Sequence, residues 1–166
     1  MIGELKPFNT IGPEEIAAAI NAMKSGPLSG FLGGIRQGGY YVEKLESEFA
    51  AALKVRHAVA CNSATSGLLM ACMAAGIKRD HIVAVSPMTM SATAAAPAFL
   101  GAHLDFVDVE PETFCLDASL APSPHTVITT NLFGHPAYNR YLRAVNPAYL
   151  IEDNAQAPFA MEYGQY

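Results

Sequence analysis

The chain has 166 residues, 51% of them hydrophobic and 15% charged, which is enough for one ordinary buried core and too apolar for intrinsic disorder. Its formal net charge is -5, and its ten Lys and Arg residues are scattered, so it lacks the clustered basic face that nucleic acid or an anionic membrane requires. Soluble partners are favoured.

Residues 1–10 carry Glu4, Lys6 and Pro7 without an apolar signal core, and the longest apolar run, 68–77, is too short to span a bilayer; the expectation is a cytoplasmic protein. Pro13 follows Gly12 at a helix start, and Ile16, Ile20 and Met23 share one face, so the pattern predicts an amphipathic helix over 13–24, ended by Gly26-Pro27. Residues 26–39 then hold six glycines (Gly26, Gly30, Gly33, Gly34, Gly38 and Gly39), a loop that reads as either a lid or a linker. Helical spacing returns with Val42, Leu45, Glu46 and Phe49 and runs to about Leu53.

From His57 the pattern changes to short β-rich runs alternating with small-residue helices. Strands are predicted at 57–61, 82–86, 104–107, 127–130 and 149–152, and helices at 65–75, 91–100 and 138–145, with Pro97 kinking or ending the second helix. Residues 118–124 carry Pro122 and Pro124 and read as a loop or a single turn. Such alternation implies right-handed crossovers, hence an α/β three-layer fold with a mostly parallel sheet and helices on both faces. The division expected is 1–56 for the N-terminal helices and Gly-rich loop, and 57–166 for the α/β part. Cys61, Cys72 and Cys115 form neither CxxC nor Cys/His metal spacing and read as buried thiols of a reducing compartment.

Four places could carry chemistry. Asn62-Ser63-Ala64-Thr65-Ser66-Gly67 opens a helix; Thr65 and Ser66 with free backbone N–H groups would suit a phosphate, and the same residues also make an ordinary helix cap. Ser86-Pro87-Met88-Thr89-Met90-Ser91 follows a strand at the edge where open α/β sheets bind ligands; Met90 would lie over a flat ring through its sulfur, or simply fill the core. In Leu150-Ile151-Glu152-Asp153-Asn154-Ala155-Gln156-Ala157 an apolar strand delivers a carboxylate that needs a hydrogen-bonded or charged partner. A pyridinium nitrogen would serve, with Gln156 on the ring's phenolic oxygen; a turn or helix-cap role for Asp153 is the plainer alternative. Asn131-Leu132-Phe133-Gly134-His135-Pro136 reads first as turn chemistry, and His135 is not assigned a catalytic role. No GxSxG elbow and no GxGxxG turn occurs, which disfavours a serine hydrolase and a dinucleotide-binding domain.

In order and spacing, residues 25–30, 42–49, 57–68, 86–93, 106–109, 132–137 and 151–157 resemble the DegT/DnrJ/StrS family of pyridoxal-phosphate-dependent nucleotide-sugar aminotransferases. The resemblance implies part of the large domain of a fold-type I transferase. It puts Thr65 and Ser66 at the cofactor phosphate, Met90 at the ring-stacking position where relatives commonly carry an aromatic residue, Asp153 at the ring nitrogen and Gln156 near the ring hydroxyl. It further implies pyridoxal 5'-phosphate as cofactor, a nucleotide-sugar and an amino donor such as glutamate as substrates, and a homo-oligomer or a complementing C-terminal chain as partner. The family's Schiff-base lysine falls downstream of the Asp153 motif, and here no lysine follows Lys78. No catalytic residue is therefore assigned, and the chain by itself is expected to be inactive. The alternatives are a non-catalytic remnant or binding module of the same fold, or a sugar dehydratase with histidine in the lysine's place. An open sheet edge and self-association are expected.

Overall fold

A computed structural model describes residues 9–26, 28, 38–121, 126–137 and 147–161. The expected helix over 138–145, the prolines of 122–125 and most of the Gly-rich loop, residues 27 and 29–37, lie outside the described residues. The chain divides into two compact units, one ending at Ala60 and the other beginning at Cys61.

In the first unit, α1 (Pro13–Lys24) begins where expected, with Pro13 in the first turn. Glu15 reaches back so that its Oε2 accepts the Gly12 N–H at 2.7 Å, and that bond holds the Glu15 carboxyl below the usual range. Glu14 and Glu15 at the start and Lys24 at the end oppose the helix dipole favourably. Helix α2 (Tyr40–Ala52) starts after Gly39, whose φ of 109° a side chain would strain. Its Glu46 accepts the Ala60 N–H at 2.8 Å, beside a small apolar hollow lined by Leu45, Phe49, Ala58, Val59 and Ala60. Neither helix buries a residue, and Ile16, Ile20, Met23 and Leu45 stay exposed.

The second unit is built on four parallel strands, β1 (Ile82–Val85), β2 (His103–Phe106), β3 (Thr126–Thr130) and β4 (Tyr149–Asp153), in the order β2-β1-β3-β4. Alternation sorts the two faces. Val83, Val85 and Ile128, with Ile151 beside them, face Leu68 and Cys72 of α3 (Ala64–Ala74) and Ala96 of α4 (Ser91–Phe99). Ala84 and Val127, with Leu150, face Val107, Leu116, Ala118 and Ala121. One face is thus covered by helices and the other, among the described residues, by irregular chain. Residues 118–120 form only a turn, as the prolines beyond them suggest.

Three expectations need correction. Residues 57–61 form no strand: they are exposed apart from partly covered Ala58, and no described strand pairs with them, so β-propensity there has no ladder to join. Pro97 does not end α4, because it stands in the last turn, where its carbonyl accepts from Leu100 and Ala102 and the helix stops at Phe99. Cys72 and Cys115 are buried, but Cys61 is exposed. No helix among the described residues is long and apolar enough to cross a membrane.

Candidate functional site

From β1 the chain crosses to β2 on one side, then returns to β3 and β4 on the other. The connections leaving β1 and β3 therefore diverge, and the crevice outside the carboxyl ends of those strands is where open α/β sheets take ligands. Residues 86–90, Thr130, Asn131 and Asp153 all stand at that edge.

Asp153 is the last residue of β4 rather than the first beyond it, and it is 6% exposed. Its Oδ2 accepts the Thr93 hydroxyl at 2.8 Å, and its Oδ1 accepts the Ala155 N–H at 3.2 Å. Among the described residues no lysine, arginine or histidine forms an ion pair with it. The Thr93 hydroxyl also meets Thr89 Oγ1 at 2.9 Å, and Thr89 Oγ1 meets Thr130 Oγ1 at 2.9 Å. Thus strand β3, the loop after β1 and helix α4 converge through hydroxyls on one carboxylate at the end of β4.

A second set of bonds fixes the neighbouring turn. The Asn131 side chain donates to Asn154 Oδ1 and accepts the Ala137 N–H at 2.7 Å, while the Asn131 N–H bonds the Asp153 carbonyl at 3.1 Å. Phe133 has φ of 55°, a conformation uncommon for a bulky residue, and its N–H donates to Gln156 Oε1 at 3.1 Å. An N–H can only donate, so Gln156 must turn its oxygen toward Phe133, which leaves the amide NH2 as its donor for anything in the crevice.

Met90 is the N-cap of α4 and is 72% exposed, so it is not core filler and stands open at this edge. Thr65 and Ser66 lie in the first turn of α3, and Ser63 caps them: its hydroxyl accepts the Ser66 N–H at 3.2 Å and meets Ser66 Oγ at 3.1 Å. The capping reading is therefore realised for Ser66, while the Ala64 and Thr65 N–H groups have no carbonyl within the helix to bond. Helix α3 packs on α4 and β4, and its C-terminus feeds the amino end of β1 through residues 75–81. Its N-terminus consequently points toward the same edge as Asp153. Lys78, the sole lysine of residues 61–166, sits in that connection at the opposite edge of the sheet. His135 follows β3, and its Nδ1 lies 2.7 Å from the Pro136 carbonyl, in keeping with a turn role.

The sequence pattern does not mark Thr89, Thr93, Thr130 and Asn131 as site residues. The one local signal was the i, i+4 pair Thr89 and Thr93 at the end of a strand; their other partners are 41 and 60 residues away.

Comparison with known proteins gives a consistent result. The model of the DegT/DnrJ/EryC1/StrS aminotransferase family matches residues 9–165. The spore coat polysaccharide biosynthesis protein SpsC of Bacillus subtilis (strain 168) is 32% identical over 157 residues, which is 90% of this chain and 38% of that protein. The crystal structure of 3-amino-5-hydroxybenzoic acid (AHBA) synthase superposes with a TM-score of 0.86 at 26% identity, over 98% of this chain and 43% of that one. NtdA from Bacillus subtilis, solved with bound cofactor PMP, shares the fold with a TM-score of 0.77 at 22% identity, over 92% of this chain and 36% of that one. The chain thus spans less than half the length of each of these relatives.

Proposed function

Because the chain belongs to the DegT/DnrJ/EryC1/StrS aminotransferase family and carries the parallel sheet with helices of fold-type I neighbours, we propose that its carboxyl edge holds pyridoxal 5'-phosphate. The protein it represents would move an amino group from a donor such as glutamate to a keto group on a nucleotide-linked sugar. The observation that carries this reading is the buried Asp153 carboxylate. It has two hydrogen-bond donors and no cationic partner among the described residues, and a buried charge calls for one.

The residues fit the cofactor. Asp153 has lone pairs left for a protonated ring nitrogen, the Gln156 NH2 is turned to donate to a phenolic oxygen, and Met90 offers a polarizable sulfur to a ring. Thr65, with the N–H groups at the start of α3, is the phosphate anchor; Ser66 contributes its hydroxyl, since its N–H is held by Ser63. When bound, pyridoxal phosphate supplies an electron sink that works best with its ring nitrogen protonated. The chain's own share is to bind, to orient and to keep that nitrogen charged.

A second reading, that residues 61–166 hold the cofactor without an amine of their own, is favoured by Lys78 being the only lysine of that stretch and standing at the far edge. Borohydride treatment with pyridoxal phosphate is then expected to leave no specific adduct on Lys6, Lys24, Lys44, Lys54 or Lys78, and a single mapped lysine would overturn that second reading.

The site itself is tested by titrating pyridoxamine phosphate into the chain and following its fluorescence. Saturable binding is expected, weakened at least about tenfold by Asp153→Asn, the loss of one charge-assisted contact. Equal affinity of the two proteins would remove the basis of the proposal.

A further inference from the structure

The three threonines beside Asp153 have a direction as well as a geometry. A carboxylate only accepts, so Thr93 must give its single hydroxyl proton to Asp153 Oδ2. Thr93 Oγ1 can then only accept at its 2.9 Å contact with Thr89, which in turn has no proton left for Thr130 and must accept from it at 2.9 Å. The chain of donation therefore runs Thr130 to Thr89 to Thr93 to Asp153. It draws on three separate elements: β3, the loop after β1, and α4. Thr93 is fully buried and Thr130 is 6% exposed, which limits the access of water to their hydroxyls. Hydrogen bonds linked in series polarise one another, and each neighbour removes a rotamer that Thr93 would otherwise sample.

Resting on the reading of the site given above, we infer that Thr93 is a positioning residue. It aims the Asp153 carboxylate and keeps its Oδ2 supplied with a donor, so that the open lone pairs face the crevice, and Thr89 and Thr130 keep Thr93 turned to that task. Thr93 acts through Asp153 and needs no contact with cofactor or substrate. The consequence is graded: removing the donor next to the carboxylate disturbs it most, and removing one further along disturbs it less.

The test titrates pyridoxamine phosphate into the unmodified chain and into Thr93→Val, Thr93→Ser, Thr89→Val, Thr130→Val and Asp153→Asn, reading fluorescence for affinity and the absorption maximum of the bound ligand for the protonation of its ring nitrogen. Thr93→Val keeps the shape and removes the hydroxyl. It is expected to weaken binding about tenfold and to move the absorption maximum toward that of the neutral ring. Thr93→Ser restores both, and Thr89→Val and Thr130→Val each cost about threefold. A merely structural role for Thr93 would lower the melting temperature without moving the spectrum.

If Asp153→Asn weakens binding and Thr93→Val does not, the positioning role is wrong and the cofactor site stands. If Asp153→Asn leaves binding unchanged, the site reading fails and the inference goes with it. Should Thr93→Val not fold, Thr89→Val, at a half-buried position outside the helix, decides the matter: wild-type affinity and spectrum would overturn the proposal.

Discussion

Hydrogen-bond arithmetic fixes which end of the Gln156 amide is free. Its oxygen is committed to the Phe133 N–H, so its free end is a donor, and a donor suits a phenolate-like oxygen. The three cysteines separate in the same way. Cys61 is exposed, whereas burial pushes the Cys72 thiol up and Cys115 is enclosed beside Leu132 and Ala137. Alkylation under native conditions should therefore modify Cys61 quickly and spare Cys72 and Cys115 until denaturant is added; rapid labelling at Cys72 would contradict its place in the core. Asp153 was legible in the sequence because a carboxylate ending an apolar strand is a local anomaly. Its threonine partners were not, because hydroxyls are unremarkable one at a time and their meeting depends on the register of β3 with β4, which aligns Thr130 with Asp153.

At the scale of elements, helix α3 is capped at both ends, by Ser63 at its start and by Gly76 beyond its end. It ends at Ala74 with Ala75 as its C-cap, and Gly76 follows with φ of 70°; the Ile77 N–H bonds the Cys72 carbonyl at 3.0 Å, the Gly76 N–H bonds the Met73 carbonyl at 3.0 Å, and Ile77 is buried behind them. This is a Schellman cap. Gly76→Ala meets no clash in space, yet the left-handed backbone should make it about 1 kcal/mol less stable, read from chemical denaturation. An unchanged midpoint would mean that the cap does not hold the start of β1. Helices α1, α3 and α4 and the four paired strands followed from periodicity and punctuation, to within a residue or so at each end. Residues 57–61 did not. Their composition suits a strand, but a strand exists only where a neighbour offers a ladder, and no local pattern reports that.

For the whole molecule, the arrangement leaves apolar surface without cover among the described residues. Among the described residues β4 pairs on one side alone, and in the first unit Ile16, Met23, Leu45 and Val59 are each about half exposed or more. A free parallel edge and uncovered helix stripes favour association. Sedimentation of the isolated chain should therefore show a species larger than one chain, growing with concentration; a monodisperse monomer with a sharp cooperative melt would argue that these surfaces are compatible with water.

Asp153 and the start of α3 are proposed to serve one cofactor, the carboxylate at its ring nitrogen and Thr65 at its phosphate. A crystal structure of the chain with pyridoxamine phosphate tests this directly. The ring nitrogen is expected within about 3 Å of the Asp153 carboxylate and the phosphate against the N–H groups of residues 64 and 65. A ligand seated elsewhere, or one that reaches only one of those two places, would contradict it.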